Sequence, residues 1–103
     1  MATSTIKANY EVDQNAGNSI TISEPNTVMH GSYNLLRAFV PFPFYAKDTN
    51  YSVSNISINV VNIGSVTGSV YYKTRTGVAI QASASGVNGV YLADSLSFKV
   101  TFA

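Results

Sequence analysis

SVYYKTRTGVAIQAS, residues Ser69–Ser83, decides the fold. Val70 and Tyr72 alternate with Tyr71 and Lys73. A Thr74-Arg75-Thr76-Gly77 turn follows. Val78, Ile80 and Ala82 then alternate with Ala79, Gln81 and Ser83. Period-two patterning on both sides of a glycine-bearing connection predicts a β-hairpin. Gly77 suits such a connection because a loop of this length often needs one residue at positive φ.

Similar stretches flank it. Ile6, Ala8, Tyr10 and Val12 alternate with Lys7, Asn9 and Glu11, which predicts a half-buried strand over Thr5–Val12 after a frayed terminus at residues 1–4. Gln14–Asn18 reads as a turn and Ser19–Ser23 as a short strand. Glu24-Pro25-Asn26 should break that strand, since proline cannot donate to a ladder. Thr27–Ser32 fits a loop or a short strand. Tyr33–Val40 reads as a strand that is apolar on both faces; a helix over Asn26–Leu36 is the alternative, which Gly31 and Ser32 disfavour.

Pro41-Phe42-Pro43-Phe44 forces extended, edge-like backbone. Tyr51–Val61 is expected to be the longest strand, with a bulge near Ser54-Asn55 where the alternation changes phase. Asn62–Gly68 and Ser85–Asp94 read as glycine-bearing loops, with Tyr91 near the tip of the second. Leu96, Phe98, Val100 and Phe102 close the chain in strict alternation and should all face the core. Seven or eight short strands without an amphipathic helix indicate a single antiparallel β-sandwich domain over residues 1–103.

Composition narrows the function. Charged residues are 11% of the chain, against roughly a quarter in an average soluble protein. Ser, Thr and Asn supply nearly a third, so hydroxyls and amides build the polar surface. The net charge of +1 comes without a basic run, which argues against nucleic acid as a partner. The absence of cysteine removes disulfides, thiolate metal sites and a cysteine nucleophile. No apolar run approaches the ~20 residues of a helical membrane span, and MATSTIKANY has no signal-peptide apolar core. A protein that leaves the cell without a secretion signal, as a virus particle does at lysis, fits this pattern.

Catalytic groups are sparse. His30 is the one histidine, read as structural or exposed; three copies about a trimer axis are the arrangement that would make it a metal ligand. Glu11, Asp13, Glu24, Asp48 and Asp94 are scattered over predicted turns and strand ends. A glycosidase would need two of them to converge. The chain has no nucleophile elbow, phosphate loop or dinucleotide fingerprint. Neither catalytic residues, a metal nor a cofactor are therefore assigned. Tyrosine is the enriched type, and its apolar face with a polar tip suits interfaces and sugar stacking. The candidate binding residues are Tyr91, with Asn88 and Asp94 beside it in the predicted loop, and Tyr71, Lys73 and Arg75, placed on one face of the hairpin opposite Val70 and Tyr72.

Three segments together resemble a known family. FPFYAKDTNYSVS (Phe42–Ser54), SVYYKTRTGVAIQAS (Ser69–Ser83) and SLSFKVTF (Ser95–Phe102) are similar to the C-terminal, receptor-binding domains of phage and prophage tail-fibre proteins. That resemblance, over Phe39–Phe102, implies a homotrimeric, H-type-lectin-like β-sandwich at a fibre tip. Such a domain binds a bacterial surface glycan or protein, belongs to the virion and is extracellular after release. Val78 stands where the family's Thr-Gly-Phe pattern often has an aromatic, and the chain lacks tryptophan, so no ligand residue is carried over. The alternative is a structural virion protein, a capsid decoration or fibre-assembly module without a receptor. Leu35, Phe39, Phe42 and Phe44 exceed what one inner face can cover and are expected to bury one another between subunits.

Overall fold

A computed structural model describes residues 3–4 and 10–103, with side chains from Val12 onward. The chain is all-β. β1 (Thr3–Ser4), expected to fray, pairs with β2 (Tyr10–Glu11); the remainder of the strand expected before Tyr10 lies outside the described residues. Seven further strands follow: β3 (Ser19–Ser32), β4 (Leu35–Pro41), β5 (Ser52–Val60), β6 (Gly64–Val66), β7 (Gly68–Lys73), β8 (Gly77–Ser83) and β9 (Gly89–Thr101). They form one antiparallel sheet in the order β6-β5-β9-β3-β4-β8-β7, curled into a half-barrel.

The curl makes a sandwich-like body from a single sheet. β3 pairs with β9 along nearly its whole length but with β4 only from His30 to Ser32, so the sheet folds over at that corner. The two ends of the sheet then meet. Thr67 alone separates β6, paired with β5, from β7, paired with β8. Gly68 begins β7 in contact with β5: a Cβ there would lie 2.6 Å from Ile56 Cγ2 and 2.7 Å from Ile58 Cδ1. The expected loop at Asn62–Gly68 is thus mostly strand.

The hairpin is present, with two departures from expectation. The first concerns Tyr71. Val70 pairs with Ile80 and Tyr72 with Ala79, so Tyr71 is an extra, bulged residue. One extra residue inverts the facing of everything beyond it. Tyr72 joins Tyr71 outside, while Lys73 turns toward Tyr51. The second concerns Gly77, which is not among the positive-φ residues. Glycine is needed there because a Cβ would meet the Val40 carbonyl at 2.5 Å and the Phe39 ring at 2.6 Å.

β3 and β9, at 14 and 13 residues, are the longest strands, rather than β5. Pro25 does not end β3. It pairs with Ser95 where β3 has a strand neighbour on one side only, a setting in which proline's missing N–H is tolerated. Asn26 beside it takes φ 54°. Opposite, β9 bulges at Asp94, since Asn59 pairs with Ser95 and Val60 with Ala93. Both strands change phase at the same level and keep one register. The expected loop over Ser85–Asp94 is therefore strand from Gly89 onward. The bulge expected in β5 lies between Ser54 and Ser57, with Asn55 at φ 55°.

Leu96, Phe98, Val100 and Phe102 are all buried, together with Leu36, Val40, Ile58, Val60 and Ile80. Phe42 and Phe44 are fully buried too, which overturns the expectation that they bury against another subunit. Their rings stack at 4.8 Å, Phe44 packs edge-on to Phe102, and Phe42 edge-on to Tyr51. The aromatic-proline segment is the lid on one end of the core. Phe42 and Ala46 donate backbone bonds to Thr76 and Arg75, and the buried Gln14 amide spans Tyr45 O and Lys47 N.

Candidate functional site

The six candidate residues are dispersed. Tyr91 is not at a loop tip. It pairs with Met29 inside β9, packs its ring against the core, and accepts a bond from the Asn88 N–H at 3.1 Å. Asp94 is the bulge residue and accepts from Asn59 Nδ2 at 2.9 Å, away from that pair. Lys73 Nζ donates to the Tyr51 carbonyl at 2.8 Å. Arg75 Nε donates to the Ala46 carbonyl at 2.7 Å, and its guanidinium stacks 4.2 Å over Tyr45. Arg75 thus fastens the aromatic-proline lid to the hairpin, Lys73 ties the hairpin to the chain entering β5, and neither shares a face with Tyr71.

Tyr71 belongs to a different group, on the outer face of the sheet. The bulge puts Tyr71 and Tyr72 side by side, ring centroids 5.5 Å apart, each about half exposed. Arg37 lays its guanidinium 4.3 Å over the Tyr71 ring. Such a contact contributes about 0.5–1 kcal/mol at an exposed site and holds the ring in place. Register brings Phe39, Ala79 and Tyr72 into one row across β4, β8 and β7. Ala79, only 5% exposed, is the floor; Phe39, 43% exposed, is one wall. With His30 at its edge these residues line a shallow recess of about 230 Å³. Arg37 is its fixed charge, and no carboxylate lines it.

Beyond His30 and Arg37, a second apolar group is exposed around the corner of the sheet. Val90 pairs with His30, and Leu92 with Val28. Val28, Val90 and Leu92 are all exposed, Val90 by 68%. Alternation marked Phe39 and Tyr71 as outward residues. Tyr72 was hidden by the one-residue bulge, Val90 and Leu92 by the reading of Ser85–Asp94 as a loop, and Val28 by a segment left open between loop and short strand.

Among the acids, Glu24 and Asp94 line one open recess beside the β9 bulge, with Ser23, Ser95 and Ser97. Among the described residues no group of three His, Asp or Glu is placed to hold a metal ion, and no helix is long and apolar enough to cross a membrane. Neither a family model, a curated protein nor a solved structure matches the chain.

Proposed function

We propose that this chain is a non-enzymatic adhesion module, a receptor-binding domain at a phage tail-fibre tip that self-associates as a homotrimer and recognises a bacterial surface glycan or protein. The observation that carries the reading is the outer face just described. Phe39, Tyr71, Tyr72, Val28, Val90 and Leu92 expose apolar side chains on four strands, β4, β7, β3 and β9, with a single stacked arginine and no carboxylate in the recess. Exposed apolar side chains gathered on one face in this way mark a contact site. Low overall charge removes the repulsion that would oppose association. The number three rests on the tail-fibre resemblance; the outer face alone would serve a dimer.

The same face favours a second reading, a structural virion module whose contacts are all with virion proteins. A cell-adsorption assay separates the two. The adhesion module binds bacterial cells and competes with phage; the structural module binds virions and leaves cells bare. Release of soluble saccharide from surface polysaccharide would overturn the non-enzymatic part, with Glu24 and Asp94 the first acids to substitute.

A further inference from the structure

The end of the domain away from the aromatic-proline lid carries a second concave surface. β3 and β4 are joined by Tyr33 and Asn34 alone, at φ 52° and 63°. A two-residue hairpin with both positions at positive φ favours Asn, Asp or Gly. A bulky tyrosine in that backbone conformation is strained. Packing does not offset the strain, because the Tyr33 side chain is 94% exposed. Its ring stands free of the domain's own core.

The surroundings specify what ligand would suit it. Tyr33 lines a recess of about 470 Å³ with Ser32, Asn34, Gly86, Val87 and Asn88, within the size range of small-ligand sites. The second loop is tied to the first. Gly86 N–H donates to Asn34 Oδ1 at 2.9 Å, Ala84 N–H to the Asn34 carbonyl at 3.0 Å, and Asn88 N–H to the Tyr91 hydroxyl at 3.1 Å. Val87 is buried and anchors the loop to the core. The loop frame is ordered beforehand and loses little entropy when a ligand enters, while the exposed Tyr33 ring is the part left for the ligand to order. Apart from the Tyr33 phenol, no lining side chain can ionise, so nothing there recognises charge. Amides and a hydroxyl around one aromatic platform suit a sugar, whose C–H face stacks on the ring while its hydroxyls bond to the rim.

We propose that this recess binds a neutral saccharide, with Tyr33 as the stacking platform and Ser32, Asn34 Nδ2 and Asn88 as polar partners. The proposal rests on the adhesion reading and gives its ligand class and position. An array of neutral hexose, 6-deoxyhexose and N-acetylhexosamine oligosaccharides tests it, with uronic-acid and sialic-acid oligosaccharides as charged counterparts. The wild type should bind neutral members, with affinity changing less than about twofold as salt rises, because no ion pair is screened. Tyr33→Gly should weaken binding at least tenfold while the melting temperature holds or rises, since glycine accepts this φ without strain. Tyr33→Phe should retain binding. Equal binding by Tyr33→Gly and wild type overturns the site but leaves the adhesion reading standing, as does binding confined to charged sugars. Adsorption to cells that protease treatment abolishes overturns the saccharide in favour of a protein receptor. A wild type that neither adsorbs to bacteria nor binds any glycan sinks the adhesion reading, and this proposal with it.

Discussion

The Tyr51 hydroxyl lies 2.7 Å from the carbonyl of Thr74, in the turn of the β7–β8 hairpin, and donates its proton there. The Gly77 carbonyl is 3.1 Å away. The ring is 1% exposed, and burial pushes the phenol up to about 12 from 10.0. The folded state therefore holds its proton at pH values where the unfolded chain releases it. Stability from this group is whole below pH 10 and is lost as pH rises from about 10 to 12, on the order of 2 to 3 kcal/mol in all. Denaturant melts across that range should show the decline. Tyr51→Phe should remove most of it, at a cost of about 1–3 kcal/mol near neutrality for the Thr74 carbonyl left unpaired.

Phe98→Ala tests the last strand. The ring is 1% exposed within the unbroken set Leu96, Phe98, Val100 and Phe102. Its loss should cost about 3–5 kcal/mol through lost burial and the cavity left behind. A thermal melt close to wild type would show that the β9 face is misassigned.

The same strand shows how far the sequence could be read. Alternation from Leu96 to Phe102 was legible because the inward phase is constant there. Just before it, the bulge at Asp94 shifts that phase, and Tyr91 and Ala93 point inward on the other parity. Two half-patterns separated by a slip look like a strand and a loop. Pro25 and Asn26 hide β3 in the same way, because strand continuity depends on which neighbour is present at that level. In β5 the slip was visible because Tyr51 and Val53 before it and Ile56, Ile58 and Val60 after it lie in one run with neither proline nor glycine between them. Phe42 and Phe44 show a different limit. Their hydrophobicity calls for cover, but whether the cover is Tyr51 and Phe102 or another subunit depends on where the chain returns, which local pattern does not encode. Candidate residues suffered similarly. Lys73 and Arg75 were recognised as outward-reaching groups, yet the backbone carbonyls of Tyr51 and Ala46 engage them.

Gly77→Ala and Gly68→Ala separate two kinds of close approach. At Gly77 the new methyl meets a backbone oxygen, Val40 O, at 2.5 Å, as well as the Phe39 ring. Backbone held in the β4–β8 ladder cannot move aside cheaply. At Gly68 its nearest neighbours are side-chain atoms, Ile56 Cγ2 and Ile58 Cδ1, which can give way more readily than a backbone carbonyl. Gly77→Ala should therefore be the more damaging, by about 1–3 kcal/mol for enforced overpacking. It should also displace Phe39, which near-ultraviolet difference spectra of the surrounding tyrosines would register. Chemical denaturation of both variants provides the ranking, and the reverse order would mean that the half-barrel seam at Gly68 is the tighter contact.

Association should depend on the outer face and not on the aromatic-proline lid. Val90 and Tyr72 stand toward opposite sides of that face, on β9 and β7, five strands apart inclusive in the sheet order. Both are at least half exposed, so a charged replacement at either costs little folding stability. Buried against a second copy, an unpaired lysine would be expensive, because it must lose its water without a partner. Light scattering after size exclusion should give about three chain masses for the wild type at micromolar concentration. Val90→Lys and Tyr72→Lys should each shift it toward one, with the fold retained by circular dichroism. Phe42→Leu, by contrast, alters a ring that the lid buries in the core, and should lower the melting temperature without changing the mass. A monomeric wild type would remove self-association altogether. A dimeric one would remove only the stoichiometry, because apolar cover is what the face requires and the number of subunits supplying it comes from resemblance alone.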